Sequence, residues 1–266
     1  MPEIAAEAPP AGQPQEAMPA MSFLDHLEEL RRRIISCILA VTVGFFACWR
    51  YAERIYEFMQ RPIMEALHRN GMPEKLVYLN PTEPFNLYLK VAFLAGLFLT
   101  SPFVLYQVWL FISPGLYRHE KRYVFPFMFS TVALFLTGGV FGYKVVYPAA
   151  LNFLIEYGKQ FQPMITIGEY TDLFLTIIIG MGIIFELPTL VFFLALMGIV
   201  TAGWMWRNLR YSILVIFIIA AIVTPTTDIL NMCIFAAPMV ALYVVSIVIA
   251  WLVHPKQRRA RARKAQ

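Results

Sequence analysis

Apolar positions along the chain gather into six runs separated by polar connections. They are Ile34–Trp49, Leu87–Ile112, Val124–Tyr147, Leu173–Val200, Tyr211–Val223 and Ile229–Val253. A membrane-spanning helix needs about 20 apolar residues, and the second, third, fourth and sixth runs reach that length. The first is shorter, with Arg33 and Arg50 placed to snorkel at its two ends. Lys90 and Lys144, near the ends of the second and third runs, are placed to do the same. The apolar part of the fifth run gives only roughly 20 Å of helix at 1.5 Å per residue, against a hydrocarbon core of about 30 Å. It reads as a short span that thins the bilayer rather than as a re-entrant segment. Arg207 and Arg210 anchor one of its ends, and the turn Thr224–Asp228 closes the other. The fourth run is long, and Pro188 predicts a bend in it. The pattern predicts an all-α integral membrane protein: six transmembrane helices in a concave bundle, with a short fifth span and helical outer loops.

Composition supports lipid as the solvent. Hydrophobic residues make up 59% of the 266 positions and charged residues 15%, against about 45–50% and about 25% in a soluble domain. The net charge of +5 reads as membrane topology rather than nucleic-acid binding, because the basic residues flank the apolar runs. With both termini inside, 14 of the 22 Lys and Arg fall on inner segments, and basic inner loops fix orientation. Both termini are therefore expected in the cytoplasm. The outer connections, 50–86 and 148–172, are long and broken by prolines, which predicts short capping helices. Residues 1–20 carry five prolines and no apolar core, so a disordered extension is expected there. The membrane domain is expected over 21–254 and a disordered basic tail over 255–266, held near anionic lipid. Cys37, Cys48 and Cys233 form no metal or redox spacing. No HExxH, GxSxG or P-loop pattern occurs, so neither an enzyme nor a metal or cofactor protein is indicated. No internal repeat points to an inverted-repeat transporter.

Three carboxylates stand out. Phe23, Leu27, Leu30 and Ile34 form one helical stripe, so an amphipathic helix is expected to run into the first span. Glu29 lies on that helix, four residues before Arg33, and Glu28 lies four before Arg32. The acids either pair along the helix for a few tenths of a kcal/mol, or Glu29 faces a cationic partner. Glu120 sits among Arg118, Lys121 and Arg122 in the second inner connection. It either favours the start of a helix through the dipole or receives a guanidinium in a geometry that lysine cannot copy. Glu186 lies near the centre of the fourth run, where a charge is costly. It is protonated and bonded to a carbonyl freed by Pro188, or it meets a partner helix, or it relays a proton. Gly182, one turn away, would admit a closely packed helix.

The motifs His26-Leu-Glu-Glu-Leu-Arg31, Gln107-Val-Trp-Leu-Phe-Ile-Ser-Pro-Gly-Leu-Tyr-Arg-His-Glu-Lys-Arg122 and Phe185-Glu-Leu-Pro188 resemble the TatC family. TatC is the multispanning subunit of the twin-arginine protein translocase, and the resemblance covers roughly residues 21–254. It implies a receptor for twin-arginine signal peptides of folded precursors at the cytoplasmic face of a bacterial inner membrane. Glu29 and Glu120 match the acids that receive the arginine pair, with Arg31, Phe111, Leu116 and Arg122 nearby. Glu186 matches an intramembrane glutamate facing TatB or TatA, which are single-span partners. Pro62 and Pro148 match prolines of the outer cap, and Asp228 a position beside the fifth span, in a turn one residue longer here. The family uses proton-motive force and no nucleotide, and works as an oligomeric complex. The competing reading is a proton-coupled small-solute carrier with Glu186 as relay. A single central carboxylate and the lack of repeats count against it.

Overall fold

The computed structural model describes residues 23–73, 75–112, 124–158, 160–161, 164–223 and 229–264. Among these every regular element is a helix, and the connections carry one isolated bridge. The helices are α1 (Phe23–Trp49), α2 (Ala52–Met59), α3 (Arg61–Arg69), α4 (Glu83–Ile112), α5 (Val124–Phe141), α6 (Tyr147–Tyr157), α7 (Ile167–Ile184), α8 (Leu187–Leu196), α9 (Ala202–Arg207), α10 (Leu209–Val223) and α11 (Ile229–Lys264). A π-helical turn, Gly142–Val146, joins α5 to α6. Five stretches are long and apolar enough to cross a membrane, and α10 supplies a shorter sixth over Leu209–Ile222. The all-helical membrane fold expected from the pattern is present, and the fifth span is short as expected.

The boundaries differ from the pattern in four places, each for a local reason. The third run does not stop at Tyr147: the helix continues to Tyr157, with Pro148 at the start of α6 directly after the π-helical turn. Pro148 thus lies within a helix rather than at the start of a loop. The fourth run starts early, at Ile167, because the Thr166 hydroxyl accepts from the Glu169 amide at 3.2 Å. The sequence Thr166-Ile-Gly-Glu169 carries this capping signal. The expected bend falls at Phe185–Glu186, and Pro188 opens α8 on the far side of the break. The backbone of the basic tail stays helical to Lys264, where the pattern predicted disorder. Arg, Lys and Ala are good helix formers, and no breaker follows Pro255.

Polar connections are tied together at the end of the bundle beyond Trp49. Val77 forms a parallel bridge with Thr166: its amide donates to Ile165 O at 3.0 Å, and Ile167 N donates to Val77 O at 2.8 Å. Lys90 pairs with Asp172, so it joins α4 to α7 instead of snorkelling alone. The expected capping helices are α2 and α3, whose buried Met59, Ile63 and Leu67 enter the main core with Tyr147, Ile177, Met181 and Phe235. Tyr170 reinforces that seat by donating to Met59 O at 2.6 Å. A second core joins α8, α9 and α11 through Val191, Ala195, Met205, Ile247 and Ala250.

Close backbone approach sets the helix pairs. A Cβ on Gly96 would lie 2.6 Å from Phe45 N, and one on Gly44 would lie 2.6 Å from Thr100 Cγ2. These two glycines therefore let α1 and α4 touch at their backbones. Gly138 of α5 meets Met181 O of α7 in the same way, at 2.6 Å, and a Cβ on Gly182 would lie 2.9 Å from the Phe135 ring. The close approach expected at Gly182 is realised against α5. Only 6% of the α1 span is buried, against 50% of the α7–α8 span, so α1 depends on its α4 seam. Gly96→Val should lower the thermal stability of the detergent-solubilised protein by about 1–3 kcal/mol or more. Gly203→Ala, where nothing lies within 4 Å, should leave the melting temperature unchanged.

Candidate functional site

The N-terminal part of α1 and the end of α4 meet in two rungs. The His26 ring stacks on Phe111, with centroids 4.4 Å apart and planes at 18°. Seven residues further along α1, Arg33 Nη1 donates to Gln107 Oε1 at 2.9 Å. Gln107 is 8% exposed, so this bond sits where an unpaired amide would be costly. The spacing follows from two antiparallel helices, because Gln107 and Phe111 are one turn apart on α4. The same guanidinium donates through Nη2 to Glu29 Oε1 at 3.1 Å. The chain Gln107–Arg33–Glu29 therefore fixes the carboxylate at the edge of the bundle.

Glu29 is only half used. Its second oxygen, Oε2, is buried with no hydrogen-bond partner among the described residues, and Arg33 Nε is in the same state. A buried acceptor left unpaired costs about 1–3 kcal/mol, more for a charged group. Glu28, Glu29, Arg32 and Arg33 line a cavity of about 300 Å³. The pairing along the helix is formed through one oxygen of Glu29, Oε1. Arg31 is exposed and does not line this cavity. Phe111 reaches the site through His26. Glu120, Leu116 and Arg122 lie outside the described residues, as does Asp228. Sequence reasoning quoted Gln107 within a motif but gave it no role. Its partner Arg33 is 74 residues away, so no local signal marks it.

Glu186 occupies the break between α7 and α8 rather than a helix. Its backbone N–H donates to Ile183 O at 3.0 Å, and its carbonyl accepts from Leu190 N at 2.9 Å. The side chain lies within hydrogen-bonding reach of the Thr189 hydroxyl, and Oε1 is buried without a partner. The bond to a carbonyl freed by Pro188 is not formed. The break is held by Phe185, whose ring lies 5.5 Å from that of Phe141. Seven residues beyond Glu186, Phe193 of α8 is buried together with Trp109 of α4. Pro62 and Pro148 meet on a different surface, where both line a cleft between α3 and α6.

These features define a multispanning helical membrane protein with a carboxylate site at one end of the bundle and an intramembrane carboxylate at a helix break. The family model described as Sec-independent protein translocase protein (TatC) matches residues 25–238. The chain belongs to the TatC family. It is 73% identical over 252 residues to the Sec-independent protein translocase protein TatC of Koribacter versatilis, covering 95% of this chain and 93% of that protein. Identity to the TatC of Carboxydothermus hydrogenoformans is 36%, over 89% of this chain and 96% of that one. A solved structure described as the twin-arginine translocase receptor TatC superposes with a TM-score of 0.76 at 32% identity. That match covers 86% of this chain and 99% of the solved one. The chain is a component of a protein-transport system, and the solute-carrier alternative has no support.

Replacing Gln107 by Leu keeps the volume but leaves Arg33 Nη1 unpaired. The expected cost is about 1–3 kcal/mol, read as a lowered melting temperature in detergent. Gln107→Glu should restore stability by accepting the same bond.

Proposed function

We propose that this chain is the receptor subunit of a twin-arginine translocase, and that Glu29 and Glu120 each take one arginine of the signal peptide. The half-satisfied Glu29 carboxylate carries this reading. Arg33 and Gln107 orient it, and Oε2 is held ready for an incoming guanidinium. A charged hydrogen bond of this kind contributes about 1.5–3 kcal/mol, and a second one at Glu120 would select paired arginines over a single cation. Arg31, Phe111, Leu116 and Arg122 frame the site.

The carboxylate edge belongs to the cytoplasmic face of a bacterial inner membrane, with both termini on that side, in keeping with the distribution of Lys and Arg. Residues 21–254 form the membrane domain, flanked by a polar extension over 1–20 and a basic tail over 255–266 that lies on anionic lipid. Glu186 offers its unpaired oxygen to a polar group on a TatB or TatA helix. Pro62 and Pro148 stiffen the outer cap, and Asp228 terminates the turn before α11. The subunit acts within an oligomeric complex driven by proton-motive force. It binds and organises rather than catalyses, and needs neither a cofactor nor nucleic acid.

Photocrosslinking of a twin-arginine signal peptide to membranes carrying the full chain tests the site. Glu29→Gln and Glu120→Gln should each reduce the crosslink roughly tenfold or more, as expected for losing one charged hydrogen bond, while insertion and melting temperature stay unchanged. Undiminished crosslinking to the double variant would remove these residues from the site.

A further inference from the structure

A second polar site lies at the far end of the bundle from Glu29. The helix α1 runs away from Glu29 to Trp49, and α2 and α3 follow it. Between α3 and the π-helical turn is a cleft of about 440 Å³, lined by Arg61, Arg69 and Lys144, with Glu65 as the one carboxylate on its walls. Glu65 lies 3.9 Å from Arg69, and both side chains are about 70% exposed, so their pairing neutralises little. Among the described residues neither Arg61 nor Lys144 has a carboxylate partner. The cleft therefore holds unneutralised positive charge.

Its walls are fixed in advance. The Arg61 guanidinium lies 5.6 Å over the Phe58 ring. Phe58 in turn stacks on Tyr143 at 4.8 Å, and the Tyr143 hydroxyl donates to Phe58 O at 2.8 Å. Tyr143 and Lys144 both belong to the π-helical turn, and the wider turn brings both onto the cleft wall. Single π-turns inside longer helices concentrate at functional sites. A planar guanidinium seated on a ring presents its N–H edge to an oxyanion in a fixed orientation, and an ammonium opposite adds a point charge. That combination suits a phosphate group.

The depth of the cleft identifies the source. A hydrocarbon core takes about 20 helical residues. Counted from Val124, the start of α5, that length ends close to Lys144, so the cleft opens where lipid phosphates lie. We propose that this cleft binds the phosphate headgroup of an anionic phospholipid and so seats the α2–α3 cap on the bilayer. The proposal is independent of the receptor reading and of which side of the membrane this end occupies.

The test uses the full chain, reconstituted with phosphatidylglycerol or with phosphatidylcholine and released for native mass spectrometry, alongside a titration with labelled phosphatidylglycerol. Wild type should retain phosphatidylglycerol in preference to phosphatidylcholine. Arg61→Gln/Lys144→Gln should bind it roughly tenfold or more weakly, and Lys144→Arg and the remote Arg207→Gln should bind as wild type. Both exchanged side chains are exposed, so the melting temperature in neutral detergent should not change. If the double variant fails to fold, Lys144→Gln against Lys144→Arg carries the comparison. Equal phosphatidylglycerol binding by wild type and Lys144→Gln would overturn the site. Full displacement by millimolar inorganic phosphate would overturn the lipid as its source, and equal retention of the two lipids would overturn the anionic class.

Discussion

A helix in lipid gains almost nothing by burying apolar side chains, because the surrounding chains are as apolar as leucine. What holds such helices together is close backbone contact and polar groups that have no other partner. This constraint runs through the whole structure. Gly44 and Gly96 bring α1 onto α4, and Gly138 and Gly182 bring α5 onto α7. Arg33, Gln107 and Glu29 then lock the same α1–α4 pair at its polar end, and Lys90 with Asp172 joins α4 to α7. With so little of α1 covered, the glycine seam and the arginine lock carry nearly all of its placement.

The functional groups are produced by the same constraint. The lock uses one oxygen of Glu29 and, among the described residues, leaves the other unpaired, and the proposed receptor reading rests on that second oxygen. At Glu186 the helix itself is interrupted. Pro188 cannot continue the α7 ladder, and the resulting turn places a carboxylate where a continuous helix would have presented only a side of its cylinder. The π-turn at Gly142–Val146 is a second departure from α geometry, and it brings Tyr143 and Lys144 to the polar cleft beside α3. Both deviations from regular helix place a polar or charged side chain where a continuous α-helix would not.

Much of this was legible in the sequence because membrane helices announce themselves by length and by flanking charge. The six runs, the short fifth span, the break near Pro188 and the small residue at Gly182 all follow from local pattern. Other features were hidden because they depend on which helices become neighbours. Gln107 and Arg33 are 74 residues apart, and nothing local says that they meet. Lys90 reads as a snorkelling cation until Asp172 is brought opposite. Helix ends were also misjudged: Pro148 reads as a stop after Tyr147, but the helix continues to Tyr157 through the largely apolar segment 149–155. The early start of α7 was readable from Thr166 and Glu169. The motif around Glu120 carried the strongest family signal, and the geometry of that loop falls outside the described residues.

The central claim is that a carboxylate positioned by Arg33 and Gln107 recognises the arginine pair of a signal peptide. A double-mutant cycle measures it most directly. Binding of a twin-arginine peptide and of its twin-lysine counterpart would be titrated to the full chain in nanodiscs, with wild type and with Glu29→Gln. The account predicts that wild type prefers the arginine peptide by roughly tenfold or more, through the guanidinium geometry that lysine cannot reproduce, and that Glu29→Gln loses most of this preference. An arginine preference that survives Glu29→Gln undiminished would contradict it.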